Sequence, residues 1–174
     1  MRWVVGLLLL VALLTLSYLP VTLFTVRLPR ENDELVHAMR VREGDPVVLS
    51  YRHSVEGAAV VGWFEVGEGP DLLAVETRMA SVGTGLPNAP RRTRRVGDWL
   101  VVDEAKRRIP HLRFFLMPIN EPRLTVSGTD VHIERLRAGA LISMDVERVS
   151  AWRWLLWMVS GKSWPIDSAS QTTS

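Results

Sequence analysis

Uncharged residues run without a break from Trp3 to Val26, and beyond Arg27 the pattern changes to short alternations of apolar and polar positions. A helix rises ~1.5 Å per residue, so the first run is long enough to cross the ~30 Å hydrocarbon layer of a bilayer. It predicts an N-terminal transmembrane helix that Pro20 kinks, or whose tight part Pro20 ends near Leu19. From Pro46 to Ser54 the period is two. Val47, Leu49, Tyr51 and His53 share one face, and Val48, Ser50, Arg52 and Ser54 the other. Residues 60–66 are rich in branched and aromatic side chains. Residues 72–79 repeat the strand pattern after the turn sequence Gly67, Glu68, Gly69, Pro70, Asp71. Further strands are predicted at 99–103, 112–116, 124–126, 131–136 and 141–146, with turn signals at 127–130 and 137–140. Seven or eight short strands at ~8–12-residue spacing predict a mainly β fold, an antiparallel sandwich or barrel-like sheet. Residues 151–159 read as a short amphipathic helix whose polar sector is Ser150, Arg153 and Ser160. Gly161 and Lys162 end it, and Pro165 blocks its resumption.

Four parts follow from this pattern: a membrane anchor over residues 1–27, a β-rich domain over 28–148, a Trp-rich amphipathic helix over 149–164 and a polar tail over 165–174 that is expected to be disordered. The part beyond the anchor, roughly 150 residues, is one ordinary domain by size. The apolar run exceeds the ~7–15-residue core of a secretory signal, and residues 17–23 offer no Ala-x-Ala-like cleavage site, so an uncleaved anchor is expected. Arg2 lies on one side of it, and Arg27, Arg30, Arg40 and Arg42 on the other. Counted alone, these charges favour a cytoplasmic domain. Long domains translocate largely regardless of such charges, however, and an extracytoplasmic domain is expected.

The chain has no cysteine, which excludes disulfides, thiolate metal sites and a lipid-modified N-terminal cysteine. Formal net charge is +2, carried by nineteen Arg and two Lys against nineteen acidic residues. The basic residues concentrate at Arg91, Arg92, Arg94 and Arg95, a set suited to anionic lipid headgroups or an acidic partner. A tethered chain without any nucleic-acid motif is not expected to bind nucleic acid. Trp152, Trp154 and Trp157 are the other candidates for lipid or partner contact, because tryptophan favours the headgroup level; the alternative is a terminal helix packed on the sheet.

Candidate chemistry is sparse. His53 and Ser54 are neighbours on a predicted strand, where side chains diverge, so they cannot form a nucleophile–base pair. His53 is either half-buried against a backbone group or a ligand contact at the strand end. In Ser81, Val82, Gly83, Thr84, Gly85, Leu86, Pro87 two glycines permit positive φ. Successive N–H groups there form an anion-binding nest or a tightly packed structural turn. The segment lacks the Gly-Lys-Ser/Thr of a phosphate loop. His37, His53, His111 and His132 show no metal-ligand spacing, and no metal, cofactor or catalytic residue is predicted. His132 and Glu134 share one face of a predicted strand. No enzymatic activity is expected.

Two segments taken in order carry a resemblance. Tyr51, His53, Ser54, Val55 and Glu56, followed by Ser81, Gly83, Gly85, Leu86 and Pro87, resemble the bacterial and archaeal family called domain of unknown function 1850 (DUF1850). The match covers residues 44–87 by motif and the remainder by layout. Members of that family often begin with a hydrophobic segment and are often encoded beside TRAP-type transporters of the TAXI class. The resemblance therefore implies an envelope protein accessory to solute uptake, with membrane lipid and TRAP-type transporter subunits as partners. Its shared ligand or partner surface would include Tyr51, His53, Ser54, Glu56, Ser81, Gly83, Gly85 and Pro87. An acidic residue often found nine positions after the histidine is Gly62 here. The second reading is a small-ligand domain in which His53, Glu56 and the loop amides converge on an anionic solute.

Overall fold

The computed structural model describes residues 3–6, 19–80 and 93–159. Among them are eleven strands in two antiparallel sheets: β1 (Pro20–Leu28), β2 (Glu34–Arg40), β3 (Pro46–Arg52), β4 (Ala59–Val66), β5 (Leu72–Met79), β6 (Thr93–Val96), β7 (Trp99–Ile109), β8 (Leu112–Phe115), β9 (Arg123–Val126), β10 (Thr129–Val131) and β11 (Leu141–Ser150). One sheet has the order β2-β1-β11-β8 and the other β10-β9-β3-β4-β5-β7-β6. Helix α1 (Ala151–Val159) follows β11 directly.

The main departure from the sequence pattern lies at Pro20. The last residues of the expected anchor form β1, whose backbone pairs with β11 from Pro20↔Ser150 to Arg27↔Ser143 and with β2 on its other edge. An apolar helix ahead of the domain therefore extends no further than Leu19. The physical reason is burial on both faces. Phe24, Val26 and Leu28 point into the core, while Val21, Leu23 and Thr25 are covered on the opposite side. A strand buried on both faces has no polar alternation and reads as a continuation of the apolar run before it. Residues 3–6 are helical, and no helix among the described residues is long and apolar enough to cross a membrane. Residues 1, 2 and 7–18 of the expected anchor, residues 160–164 of the expected Trp-rich helix and the expected tail, 165–174, lie outside the described residues.

The two sheets close as a sandwich on one cluster. Phe24 and Val26 of β1 and Ile142, Met144 and Val146 of β11 face Val47 and Leu49 of β3 and Leu124 and Val126 of β9. Two contacts between the layers fix which ends meet. The Arg148 guanidinium, near the end of β11, donates to the carbonyl of Glu68 in the β4–β5 turn. The Tyr51 ring, near the end of β3, packs on Phe114 at 5.0 Å, and Phe114 pairs with Ile142 at the start of β11. The β3–β4 hairpin and α1 consequently lie at opposite ends of the sandwich.

The larger sheet also bends. Register shifts fall between Trp63 and Phe64 on β4 and between Ala74 and Glu76 on β5. Opposite the second shift, Ala105 and Lys106 of β7 adopt φ of 52° and 54°. Bulges aligned across three neighbouring strands twist the sheet locally and re-aim everything beyond them. Residues 64–66 and 72–74 stay over the main core. Residues 59–63, 76–79 and 99–103, with β6, form a wing in which Val60, Val101 and Val102 are buried outside the main cluster.

Candidate functional site at the end of the bent sheet

Strand β3 stops at Arg52, one residue before the histidine. His53 opens a hairpin loop: its N–H donates to the Ala58 carbonyl at 2.8 Å, and its own carbonyl accepts from the Gly57 N–H at 2.8 Å. Gly57 sits at φ +64°, a conformation that costs a residue without Cβ almost nothing and closes the turn. Because the main chain supplies these bonds, the side chains are left outward. His53, Ser54 and Glu56 are exposed, and Val55 at the tip is 85 % exposed. The predicted alternation ends early, so His53 is neither half-buried nor on the apolar face of a strand. Tyr51, by contrast, is half-buried against Phe114, and burial raises its phenol pKa. Tyr51 supports the core under the loop instead of joining the exposed surface.

The Ala80 N–H donates to the Ala59 carbonyl at 2.9 Å, so the end of β5 lies at the base of the His53 loop. Ser81, Gly83, Gly85, Pro87, Arg91 and Arg92 lie outside the described residues. The chain re-enters as β6, where Arg94 and Arg95 are exposed. Arg94 is engaged by Glu76 at 3.1 Å, and Glu76 also holds Arg78 at 2.6 Å. Arg78 in turn lies over the Trp63 ring, 4.5 Å from its centroid. The outer surface of the wing is thus a charge-paired lattice.

A polar cluster that the sequence pattern did not expose occupies the outer face of the smaller sheet. Arg27 Nε donates to Glu147 Oε1 at 2.8 Å, and the Thr25 hydroxyl donates to the same oxygen at 3.0 Å. Burial pushes the Glu147 carboxyl up, but the hydrogen bond and charge of Arg27, with the Thr25 hydroxyl, outweigh it and hold the group below its ordinary value. The bond to Glu147 likewise raises Arg27. Further along β11, Asp145 accepts from the Ser143 hydroxyl at 2.7 Å, and His111 Nδ1 lies 2.7 Å from its other oxygen. In a nucleophile triad the histidine stands between serine and carboxylate and takes the serine proton. Here the carboxylate stands in the middle, so His111 cannot activate Ser143. The arrangement satisfies buried hydroxyls. Its sequence signal is the period-two spacing of Thr25 with Arg27 and of Ser143, Asp145 and Glu147, which the apolar run concealed on β1.

The expected strand at 131–136 is instead β10 followed by a 3-10 turn (Ile133–Arg135). His132 Nδ1 and Glu134 lie 2.9 Å apart at the rim of an open groove of about 600 Å³, which Arg123, Thr125 and Asp130 also line. Among the described residues no group of three or more His, Asp and Glu side chains is placed to hold a metal ion. The tryptophans of α1 divide. Trp154 and Trp157 stack at 5.4 Å and line a small cavity with Leu23, Ala38 and Val149, whereas Trp152 points outward.

These features define a two-layer β-sandwich with a bent wing that carries an exposed, backbone-braced loop at its tip. The family model "Domain of unknown function (DUF1850)" matches residues 47–133, half of the chain, and the protein belongs to that family. The matched stretch holds nearly the whole larger sheet together with β8, while β1, β2, β11 and α1 fall outside it. No curated protein and no solved structure matches the chain significantly. Gly62, where the resemblance implies a carboxylate, has a local explanation. A Cβ at this position would lie 2.9 Å from Phe64 Cε2, so the ring occupies the space that such a side chain needs.

Proposed function

We propose that this protein is a membrane-tethered, non-enzymatic accessory component of a TRAP-type solute-uptake system, with its domain on the extracytoplasmic side. Its loop of His53, Ser54, Val55 and Glu56 docks a protein of that system. One observation carries the reading: the motif loop is exposed at the end of the sandwich opposite to Leu19, where the apolar N-terminal stretch joins the domain. At ~3.3 Å per residue, the path along β11 from Ile142 to Ser150 is roughly 26 Å. A tether at Leu19 therefore leaves the loop well clear of a bilayer and free to meet a soluble partner. An exposed valine braced by backbone hydrogen bonds suits such a contact, since it offers apolar area at little cost in ordering.

The test places a photo-crosslinking residue at Val55 and, separately, at Glu43 in the full chain expressed in native membranes. The reading expects an adduct with a transport-system protein at Val55 and none at Glu43. Equal labelling at both positions, or none at either, would sink it. The small-ligand reading predicts a different outcome: saturable heat on titrating carboxylates into the purified full chain, with no protein adduct at Val55.

A further inference from the structure

Helix α1 is apolar on two sides. Its inner side, Trp154 and Trp157, covers Leu23, Ala38 and Val149 of the smaller sheet. Its outer side is a stripe of Trp152, Leu155, Leu156 and Val159, spaced i, i+3, i+4 and i+7, with exposures from 42 % to 76 %. A helix lying on a sheet ordinarily turns charged and polar groups outward. Here Arg153 is the one charged residue of the helix, and it lines the same small cavity as Glu147. Leu19, 57 % exposed, adjoins the first residue of this helix, and its carbonyl accepts a hydrogen bond from the Ala151 N–H at 2.9 Å. Leu19 is also the last residue of the uncharged stretch ahead of β1. The apolar stretch and the apolar stripe therefore meet at one point on the domain.

We infer that the outer face of α1 is a membrane-surface contact, seated in the headgroup and upper acyl region of the bilayer beside the entry of the N-terminal stretch. Trp152, Leu155, Leu156 and Val159 are the immersed side chains, and Trp154 and Trp157 are structural. This inference rests on the membrane-tether reading above and adds a second attachment that orients the domain. A nine-residue helix is about 13 Å long and cannot span, but lying flat it inserts one face. Tryptophan at its start suits the headgroup level. Two contiguous apolar elements that emerge together favour a planar lipid surface as occupant over a second protein. A protein would need a site shaped around both the helix and the entering chain.

The absence of native cysteine allows a direct test. Leu155→Cys and Val159→Cys, with Val55→Cys as the control, are spin-labelled in the full chain. Each is reconstituted in vesicles of phosphatidylcholine and phosphatidylglycerol. Collision with oxygen, which concentrates in lipid, is compared with collision with a water-soluble nickel chelate. The labels at 155 and 159 are expected to be several-fold more accessible to oxygen than to nickel, and the label at 55 the reverse. Nickel access at 155 and 159 equal to that at 55 would overturn the inference. So would shielding from both reagents, the result if another copy or another segment of chain covers the stripe. Flotation of the unlabelled chain separates the two levels of argument. Protein that floats with nickel-accessible α1 labels keeps the tether and loses the inference, whereas protein that does not float loses both.

Discussion

Truncating Phe24 decides whether residues 20–28 are a core strand or the end of a membrane helix. Phe24 is fully buried between Met39 of β2 and Val146 of β11 and lies in the cluster that joins the two sheets. Removing a buried phenyl ring costs ~3–5 kcal/mol, the lost transfer free energy plus the cavity left in a core that relaxes only partly. For a domain of this size one kcal/mol moves Tm by ~2–4 °C, so Phe24→Ala should lower it by roughly 6–20 °C. The assay is thermal or urea unfolding of the full chain in mild detergent, followed by near-ultraviolet circular dichroism. Trp3→Ala serves as the control. Trp3 is 92 % exposed, and its removal should change stability by less than ~0.5 kcal/mol. Should Phe24→Ala prevent folding, Val26→Ala makes a smaller cut at the same site. On a membrane helix Phe24 would face lipid, and its loss would leave the folded domain unaffected. A measured loss below ~1 kcal/mol would therefore refute the assignment of β1 to the core.

Glu147→Gln should destabilise by ~1–2 kcal/mol, because half-buried Arg27 would lose its nearest counter-charge and keep exposed Asp33 as its ion-pair partner. Arg27→Met with Glu147→Met should recover most of that loss in a double-mutant cycle. His37 should make the fold acid-sensitive. Burial lowers its pKa from 6.5 to about 4, so the folded state resists a proton that the unfolded chain accepts. Stability is then full above pH 6.5 and falls as the pH drops through 4, by on the order of 1–2 kcal/mol once the ring's partial exposure is allowed for. Urea midpoints between pH 7 and pH 4 measure this, and His37→Gln should flatten that part of the profile. Gly62→Ala should cost about 1 kcal/mol by pressing a methyl on Phe64, yet stabilise slightly in a Phe64→Ala background, where a strand gains from losing glycine. The same sign in both backgrounds, read from Tm, would contradict that account.

Periodicity revealed those strands that keep one wet face. β3 alternates cleanly because Val47, Leu49 and Tyr51 face the core while Val48, Ser50 and Arg52 do not. β1 escaped because both of its faces are covered, one by the opposite sheet and the other partly by α1. The usable clue lay in its chemistry. Val21, Thr22, Thr25 and Val26 are β-branched, and Pro20 stands at the first strand position, where proline is tolerated. β2 was hidden for a related reason, since the bulge between Val26 and Arg27 breaks the alternation of its partner residues Leu35, Val36 and His37. The motif was recognisable residue by residue, but its exposure was not. Only the pair of backbone bonds around His53 lifts the histidine out of the strand. The Asp145 and Glu147 cluster assembles across strands some 120 residues apart, beyond the reach of any local pattern.

The place of β1 also determines how force enters the molecule. A pull on the chain ahead of Pro20 is delivered along the axis of an interior strand. The hydrogen bonds holding that strand to β2 and β11 run across the direction of pull. They are loaded together in shear and cannot be peeled one at a time. Tension applied between the N-terminal stretch and the far hairpin would be borne by the whole sandwich, so the domain can act as a stiff link.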